Sequence, residues 1–249
     1  MKKPHQFPIK PTDFLGDYDT AIEDKPFRYV VLDNLFNKRF YKQLCKEFDV
    51  RLSLGLSEKS RKDRFARFSH YDAYCWTLNP KSDKVFSNFF FSRPWRLFVN
   101  SFFKLTLNEN TIAEFHHHKI ESKDGYIHND YDLVGFKNSP MKNGVNPWYH
   151  QCTYLGNKNG QSVRSLACLY YFNNPEWKEG DGGETALFKA SKEIDKVPPI
   201  NNRFLVFQIS PKSFHAFRQN KINVRNCLVQ WFHMDKKVAV GYYGAEPNQ

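Results

Sequence analysis

Residues 165–188 read SLACLYYFNNPEWKEGDGGETALF, and this stretch decides the class of fold. Ser165–Phe172 and Glu184–Phe188 are apolar and aromatic runs of strand length. Between them stand Asn173-Asn174-Pro175 and Gly180-Asp181-Gly182-Gly183. Asn and Gly tolerate left-handed backbone, and Pro has no amide to give a ladder, so both clusters mark turns. Runs this short, bounded this way, read as strands, because a buried helix needs roughly ten residues or more.

Outward from there the texture repeats. Thr111–His118, Tyr126–Tyr131, Phe204–Ile209, His215–Phe217 and Arg225–Phe232 are further short runs with turn signals between them, among them Lys123-Asp124-Gly125 and Pro198-Pro199. Many short strands at this spacing predict a sandwich or barrel. Toward the N-terminus the pattern changes. Phe27–Asp33 reads as a strand. Asn37 can cap a helix running to about Phe48, with Phe40, Tyr41, Leu44 and Phe48 on one face. Asp83 can cap a second helix with Val85, Phe86, Phe89 and Phe90 as its buried stripe. Pro94 would break it, and Trp95–Phe103 would continue as another. Residues 51–82 read as a long polar loop with small pieces of structure. The expectation is an all-β core with flanking helices (α+β). Residues 1–26 form an irregular arm and 27–249 a single domain, with 27–110 a mainly helical support region and 111–235 the β core.

Composition agrees. Aromatics make up 17% of 249 residues, a load that needs a packed interior and excludes a disordered chain. No apolar run is long enough to span a membrane, and the basic opening MKKPHQFPIK leads into no apolar segment, so no secretory leader is expected. Cys45, Cys75, Cys152, Cys168 and Cys227 are odd in number and irregular in spacing. They read as reduced thiols in a cytoplasmic protein. The net charge of +11 is spread along the chain and densest from Arg51 to Arg67. That patch reads either as a solvated basic loop or as a surface for an anionic partner or substrate.

Four constellations carry chemistry. In His128-Asn129-Asp130 an imidazole and a carboxylate would share one face of a strand, a pairing that suits a divalent metal. His215 follows the apolar strand Phe204–Ile209 and can supply a third, sequence-distant ligand. Arg225 opens a strand on which Cys227, Val229 and Trp231 share its face, and a charge there needs an anion. Gly182-Gly183-Glu184-Thr185 is a tight turn into a strand. His116-His117-His118 resembles a metal tract, but only alternate residues of a strand share a face. It reads as a strand with one or two exposed histidines, of which His117 can line a cavity.

In that order, Tyr126-Ile-His-Asn-Asp-Tyr131, Leu169-Tyr-Tyr-Phe-Asn173, Gly182-Gly-Glu-Thr185, Phe214-His-Ala-Phe217 and Arg225 resemble the iron(II)- and 2-oxoglutarate-dependent dioxygenases, in the prolyl-4-hydroxylase-like branch. The resemblance covers about residues 27–235. It implies a double-stranded β-helix (jelly roll, cupin-like) with N-terminal helices packed on one sheet. It implies His128, Asp130 and His215 as iron ligands and Arg225 on the distal carboxylate of 2-oxoglutarate, with O2 as second cosubstrate. Tyr171 matches the position where some relatives add a hydroxyl to that carboxylate, and Tyr170 points the other way by alternation. Asp130 argues against a halogenase. The implied reaction is hydroxylation of an unactivated C–H bond of an amino acid, peptidyl residue or other small metabolite, with release of succinate and CO2.

The segment Tyr131–Arg164 is long for a connection, and is expected to form a lid or substrate wall. Trp148, His150, Tyr131 and Phe115 are the expected substrate contacts. Two other classes remain open: a nucleic-acid- or protein-modifying dioxygenase, and a non-enzymatic jelly-roll binding protein with a vestigial metal site.

Overall fold

The computed structural model describes residues 13–68, 72–80, 86–136, the strand at 146–148, and 161–248. Two sheets organise it. The larger runs in the order β1 (Asp19–Glu23), β2 (Tyr29–Asp33), β12 (Arg203–Gln208), β9 (Gln161–Tyr171), β14 (Arg225–Asp235), β6 (Asn110–His118), β5 (Ala73–Thr77), β4 (Phe65–Phe68) and β3 (Leu56–Ser57). β7 (Leu133–Gly135) pairs with β9, and β8 (Asn146–Trp148) with β6. The smaller sheet is β11 (Lys192–Val197), β10 (Thr185–Lys189) and β13 (His215–Phe217). It lies against one face of the larger sheet, where Phe207 meets His215 and His118 stacks on Phe217. This is the jelly roll.

Register sorts the larger sheet into two faces. Arg225, Cys227, Val229 and Trp231 of β14 stand opposite His118, His116, Glu114 and Ile112 of β6. Cys227, Val229 and Trp231 also stand opposite Tyr171, Leu169 and Ala167 of β9. Direct partners share a face, so these residues look toward the small sheet. The alternate set, including Phe115, Tyr170, Leu228 and Phe204, looks toward the helices.

Those helices are α1 (Lys38–Leu52), α2 (Arg93–Ser101) and a short 3-10 helix at Phe86–Phe91 between them. The Asn37 side chain accepts from the Phe40 amide, as a cap should. Phe36, Phe40, Phe89, Phe90, Trp95 and Tyr170 meet edge to face beneath the sheet. Trp95 Nε1 donates to Gln230 Oε1 at 2.8 Å, tying α2 to the back of β14. A last helix, α3 (Lys236–Tyr243), follows β14 directly.

Several expectations change. Tyr126–Tyr131 is not a strand. It makes one bridge, His128 to His215, and Asp130 sits in left-handed backbone at φ 57°. Pro94 starts α2 instead of breaking a helix. Ser92 caps it, and a proline in the first turn removes only an amide that has no helical partner. The Asp83 cap falls outside the described residues. The expected 51–82 loop carries β3, β4 and β5, so the helical support region also contributes strands to the larger sheet. The arm is shorter than expected, because β1 pairs with β2 and Phe14 packs on Phe40 and Phe89. No helix among the described residues is long and apolar enough to cross a membrane.

Candidate active site

β13 begins with His215, and its bridge to His128 brings the two imidazoles together at 4.3 Å between ring centres. Left-handed backbone at Asp130 then turns its carboxylate back between them. His128 Nε2 lies 3.6 Å from Asp130 Oδ1, and His215 Nε2 lies 3.6 Å from Asp130 Oδ2. The three donor atoms fall within 4.8 Å of one another.

The surroundings fix each group in the form a metal needs. His128 Nδ1 is 2.9 Å from the Tyr126 carbonyl, and His215 Nδ1 is 3.0 Å from the Ser213 carbonyl. A carbonyl can only accept, so each Nδ1 carries the proton and each Nε2 presents its lone pair. Burial, with His215 alongside, pushes His128 down to about 4, so it is neutral at pH 7. Burial alone would raise the Asp130 carboxyl. The Arg164 guanidinium and the two histidines outweigh it and hold the group well below the usual range. Arg164 Nη1 donates to Asp130 Oδ1 at 2.7 Å, and Trp231 Nε1 donates to Asp130 Oδ2 at 2.8 Å. Arg164 also lies over the Trp231 ring at 4.4 Å. Two imidazoles with Nδ1 turned to carbonyls and Nε2 turned inward, and an oriented carboxylate, on one side of a shared point fit a facial two-histidine-one-carboxylate metal site.

Asn129, the middle residue, does structural work. Its side chain donates to the Pro211 carbonyl and accepts from the Tyr131 amide and from Asn248 Nδ2. Asn248 also bonds Asp132, so the C-terminal segment braces the ligand loop.

Beside the triad, on the same face, Arg225 is 3% exposed. Its Nη2 reaches Thr185 Oγ1 at 3.2 Å, and its Nη1 reaches Cys227 Sγ at 3.4 Å. Nε has no partner, and no carboxylate pairs with the guanidinium among the described residues. The rings of Tyr171 and Phe217 flank it at 5.2 and 5.0 Å. Tyr171 Oη shares a 2.7 Å hydrogen bond with Thr185 Oγ1. Tyr170 turns to the helical side, where its hydroxyl donates to Asn202, as alternation required. A buried guanidinium walled by aromatic rings and hydroxyls, with no anion of its own, fits the carboxylate of a dicarboxylic ligand.

The expected substrate contacts fare less well. Phe115 faces the helices, against Phe48 and Phe172, and does not line the metal side. Tyr131 spends its hydroxyl on the Ala245 carbonyl and its ring on Tyr243. The side chain of Trp148, and His150 altogether, fall outside the described residues. His116, His117 and His118 are all buried rather than partly exposed, because β6 is an interior strand covered on both faces. His117 looks toward the helices, bonding Asn226. His116 and His118 look toward the metal side. Arg164 and Arg218, two further arginines near these strands, are occupied: Arg164 with Asp130 and Asp132, Arg218 with Glu193 and Asp124.

A jelly roll holding two histidines and a carboxylate at the mouth of its small sheet, with a buried arginine beside them, defines the metal-dependent oxygenases of this fold. The family model of the 2OG-Fe(II) oxygenase superfamily matches residues 115–233, the span that contains all four groups. Over those residues the chain matches that superfamily, whose members use iron(II), 2-oxoglutarate and O2. It is a 2-oxoglutarate-dependent dioxygenase, with the fold of the prolyl-4-hydroxylase-like branch.

Solved structures show the same fold. A prolyl hydroxylase from Trichoplax adhaerens, in complex with a hypoxia inducible factor peptide fragment, is 13% identical. The match covers 85% of this chain and 86% of that one, with a TM-score of 0.56. A prolyl 4-hydroxylase from Phytophthora capsici is 18% identical over 85% of this chain and 60% of that one, at 0.52. The viral collagen prolyl hydroxylase of Paramecium Bursaria Chlorella virus-1, solved with 2-oxoglutarate, is 16% identical over 84% and 96%, at 0.51.

Proposed function

We propose that His128, Asp130 and His215 hold iron(II), and that Arg225, aided by Thr185 and Tyr171, binds the distal carboxylate of 2-oxoglutarate. The reaction is hydroxylation of an unactivated C–H bond in an amino acid, a peptidyl residue or another small metabolite, with release of succinate and CO2 in the cytoplasm. The observation that carries this reading is Arg225: a buried cation with no counter-ion among the described residues, on the same face as the triad.

When bound, the iron, with its two cosubstrates, supplies the oxidising power. The chain's own residues do the rest. Arg164 and Trp231 keep Asp130 ionised and aimed. The Tyr126 and Ser213 carbonyls hold both imidazoles in the ligating tautomer. Phe207 and Phe217 shield the two subsites from water. The Arg51–Arg67 stretch gives little support to a nucleic-acid substrate. Arg51 is buried against Glu47, and Arg61, Arg64 and Arg67 pair with Asp63 and Asp72.

The test is 2-oxoglutarate consumption by purified protein with and without iron(II). Wild type should consume it only with iron. Asp130→Asn should lose turnover and iron binding together, because the amide removes the ligand charge while keeping its shape. Full turnover by Asp130→Asn, or none by wild type, refutes the reading.

A further inference from the structure

The metal-facing side of β6 carries three titratable side chains in a row, Glu114, His116 and His118. Only His118 stands opposite Arg225. Glu114 lies at the other end, opposite Thr77 of β5 on one side and Val229 of β14 on the other. Glu114 Oε1 accepts from Thr77 Oγ1 at 2.8 Å, and Oε2 lies 3.2 Å from His116 Nε2. No lysine or arginine forms an ion pair with Glu114 among the described residues. Burial by itself would raise this carboxyl, but the His116 and Thr77 contacts, with Arg164 nearby, leave it below its ordinary value, and so ionised. A carboxylate has about four acceptor positions, and the described residues use two of them. The side chain keeps 12% of its surface open. The same wall leads to the metal site: the His116 ring is 6.5 Å from the Trp231 ring, and Trp231 holds Asp130.

We propose, on the footing of the oxygenase reading above, that Glu114 with His116 and Thr77 is the substrate subsite for a cationic nitrogen. The substrate then carries an ammonium or guanidinium group, in a free basic amino acid or in a lysine or arginine of a peptide. A proline ring brings no charge and would leave a desolvated carboxylate facing apolar carbon. A cation completes the two open acceptor positions. The metal-facing wall is then charged at both ends and sorts its two ligands. Arg225 takes the dicarboxylate and repels the cation, while Glu114 does the reverse. The net charge of +11 repels cations at long range, so selection rests on this contact and not on steering.

The experiment uses iron-loaded enzyme with 2-oxoglutarate. Probes are L-lysine, L-arginine and acetyl-Gly-Lys-Gly-amide, against norleucine, citrulline and acetyl-Gly-Pro-Gly-amide. At least one cationic probe should stimulate 2-oxoglutarate consumption with a kcat/KM at least about tenfold above its neutral counterpart. Free and peptide arms separate the two sources. Glu114→Gln should level the preference between lysine and norleucine, and Glu114→Asp should restore part of it. Iron-dependent consumption by wild type without any probe checks the oxygenase reading separately, and its absence sinks both. With that activity present, three outcomes overturn the subsite alone: stimulation by the prolyl peptide, a cation preference that survives Glu114→Gln, or no response to any cationic probe. A fourth is zinc. Donors of Cys75, Glu114 and His116 lie within 4.8 Å of one another. A rise in Tm with Zn2+ that Glu114→Gln removes would assign the trio to a metal instead.

Discussion

Arg225 touches a threonine hydroxyl and a thiol where a buried cation would ordinarily find a carboxylate. In the ligand-free protein that arrangement is a cost, because desolvation is not offset by an ion pair. Replacing it with a shape-similar apolar residue should therefore separate stability from binding. Arg225→Met should stabilise the ligand-free protein by about 1–3 kcal/mol, measured by urea unfolding. It should also raise the 2-oxoglutarate KM by roughly a hundredfold, equivalent to about 3 kcal/mol. A loss of stability in the free variant would show that the guanidinium is already satisfied. At this scale the sequence was informative where one side chain's chemistry is unusual for its neighbours: His128, Asp130, His215, Arg225 and Tyr171 all stand together. It misled at Phe115. The usual rule sends apolar residues toward the interior, but β6 has two interiors. Ala113 and Phe115 line the helical one, while Glu114, His116 and His118 line the catalytic one. Arg164 was beyond reach for another reason. Strict alternation along β9 puts it with the helices, and a register shift at Phe232/His233 carries it to the metal side.

Among the elements, β10 and the turn before it matter most for the cosubstrate subsite. Gly182 has φ 79°, and a Cβ built there would lie 1.9 Å from the Gln219 carbonyl oxygen. Gly183, itself at φ 81°, and Glu184 then deliver Thr185 to Arg225 and Tyr171. Gly182→Ala must push the turn away from Gln219, at a cost of roughly 1–3 kcal/mol. It should also raise the 2-oxoglutarate KM by displacing the Thr185 hydroxyl. An unchanged Tm and KM would mean that the turn relaxes freely. The long, strongly patterned elements, α1, β6, β9, β12 and β14, were legible from periodicity alone. β3, β4 and β5 were not, because two to five residues of strand in a basic stretch give no period. The Tyr126–Tyr131 expectation failed for a physical reason. A left-handed Asp130 does by one backbone torsion what a strand face would have done by alternation, and a list of residue types carries no torsion.

Over the whole molecule, burial sets the response to acid. His233 is fully buried between β6 and β9. Desolvation first, then the nearby Arg164 charge, push it down to about 3, against the Asn110 carbonyl that favours its protonated form. His128 is held down to about 4. Unfolded histidine titrates near 6.5. Between about pH 6.5 and pH 3 the unfolded chain therefore binds protons that the folded chain refuses, and stability rises with pH across that window. For His233 alone the full effect is on the order of 5 kcal/mol. The unfolding free energy of metal-free protein should already fall between pH 6.5 and 5, before most carboxylates titrate, and His233→Phe should flatten that slope. A flat wild-type profile would contradict this burial.

The Trp231 bond to Asp130 has a consequence of a different kind. An indole that donates to a ligand carboxylate and lies under a guanidinium is an optical reporter wired into the metal site. Its emission is sensitive to the charge on both neighbours, so the arrival of a cation between His128 and His215 is written into the protein's own fluorescence. Site occupancy thereby becomes visible without dye, label or turnover, and remains so in variants that have lost all activity.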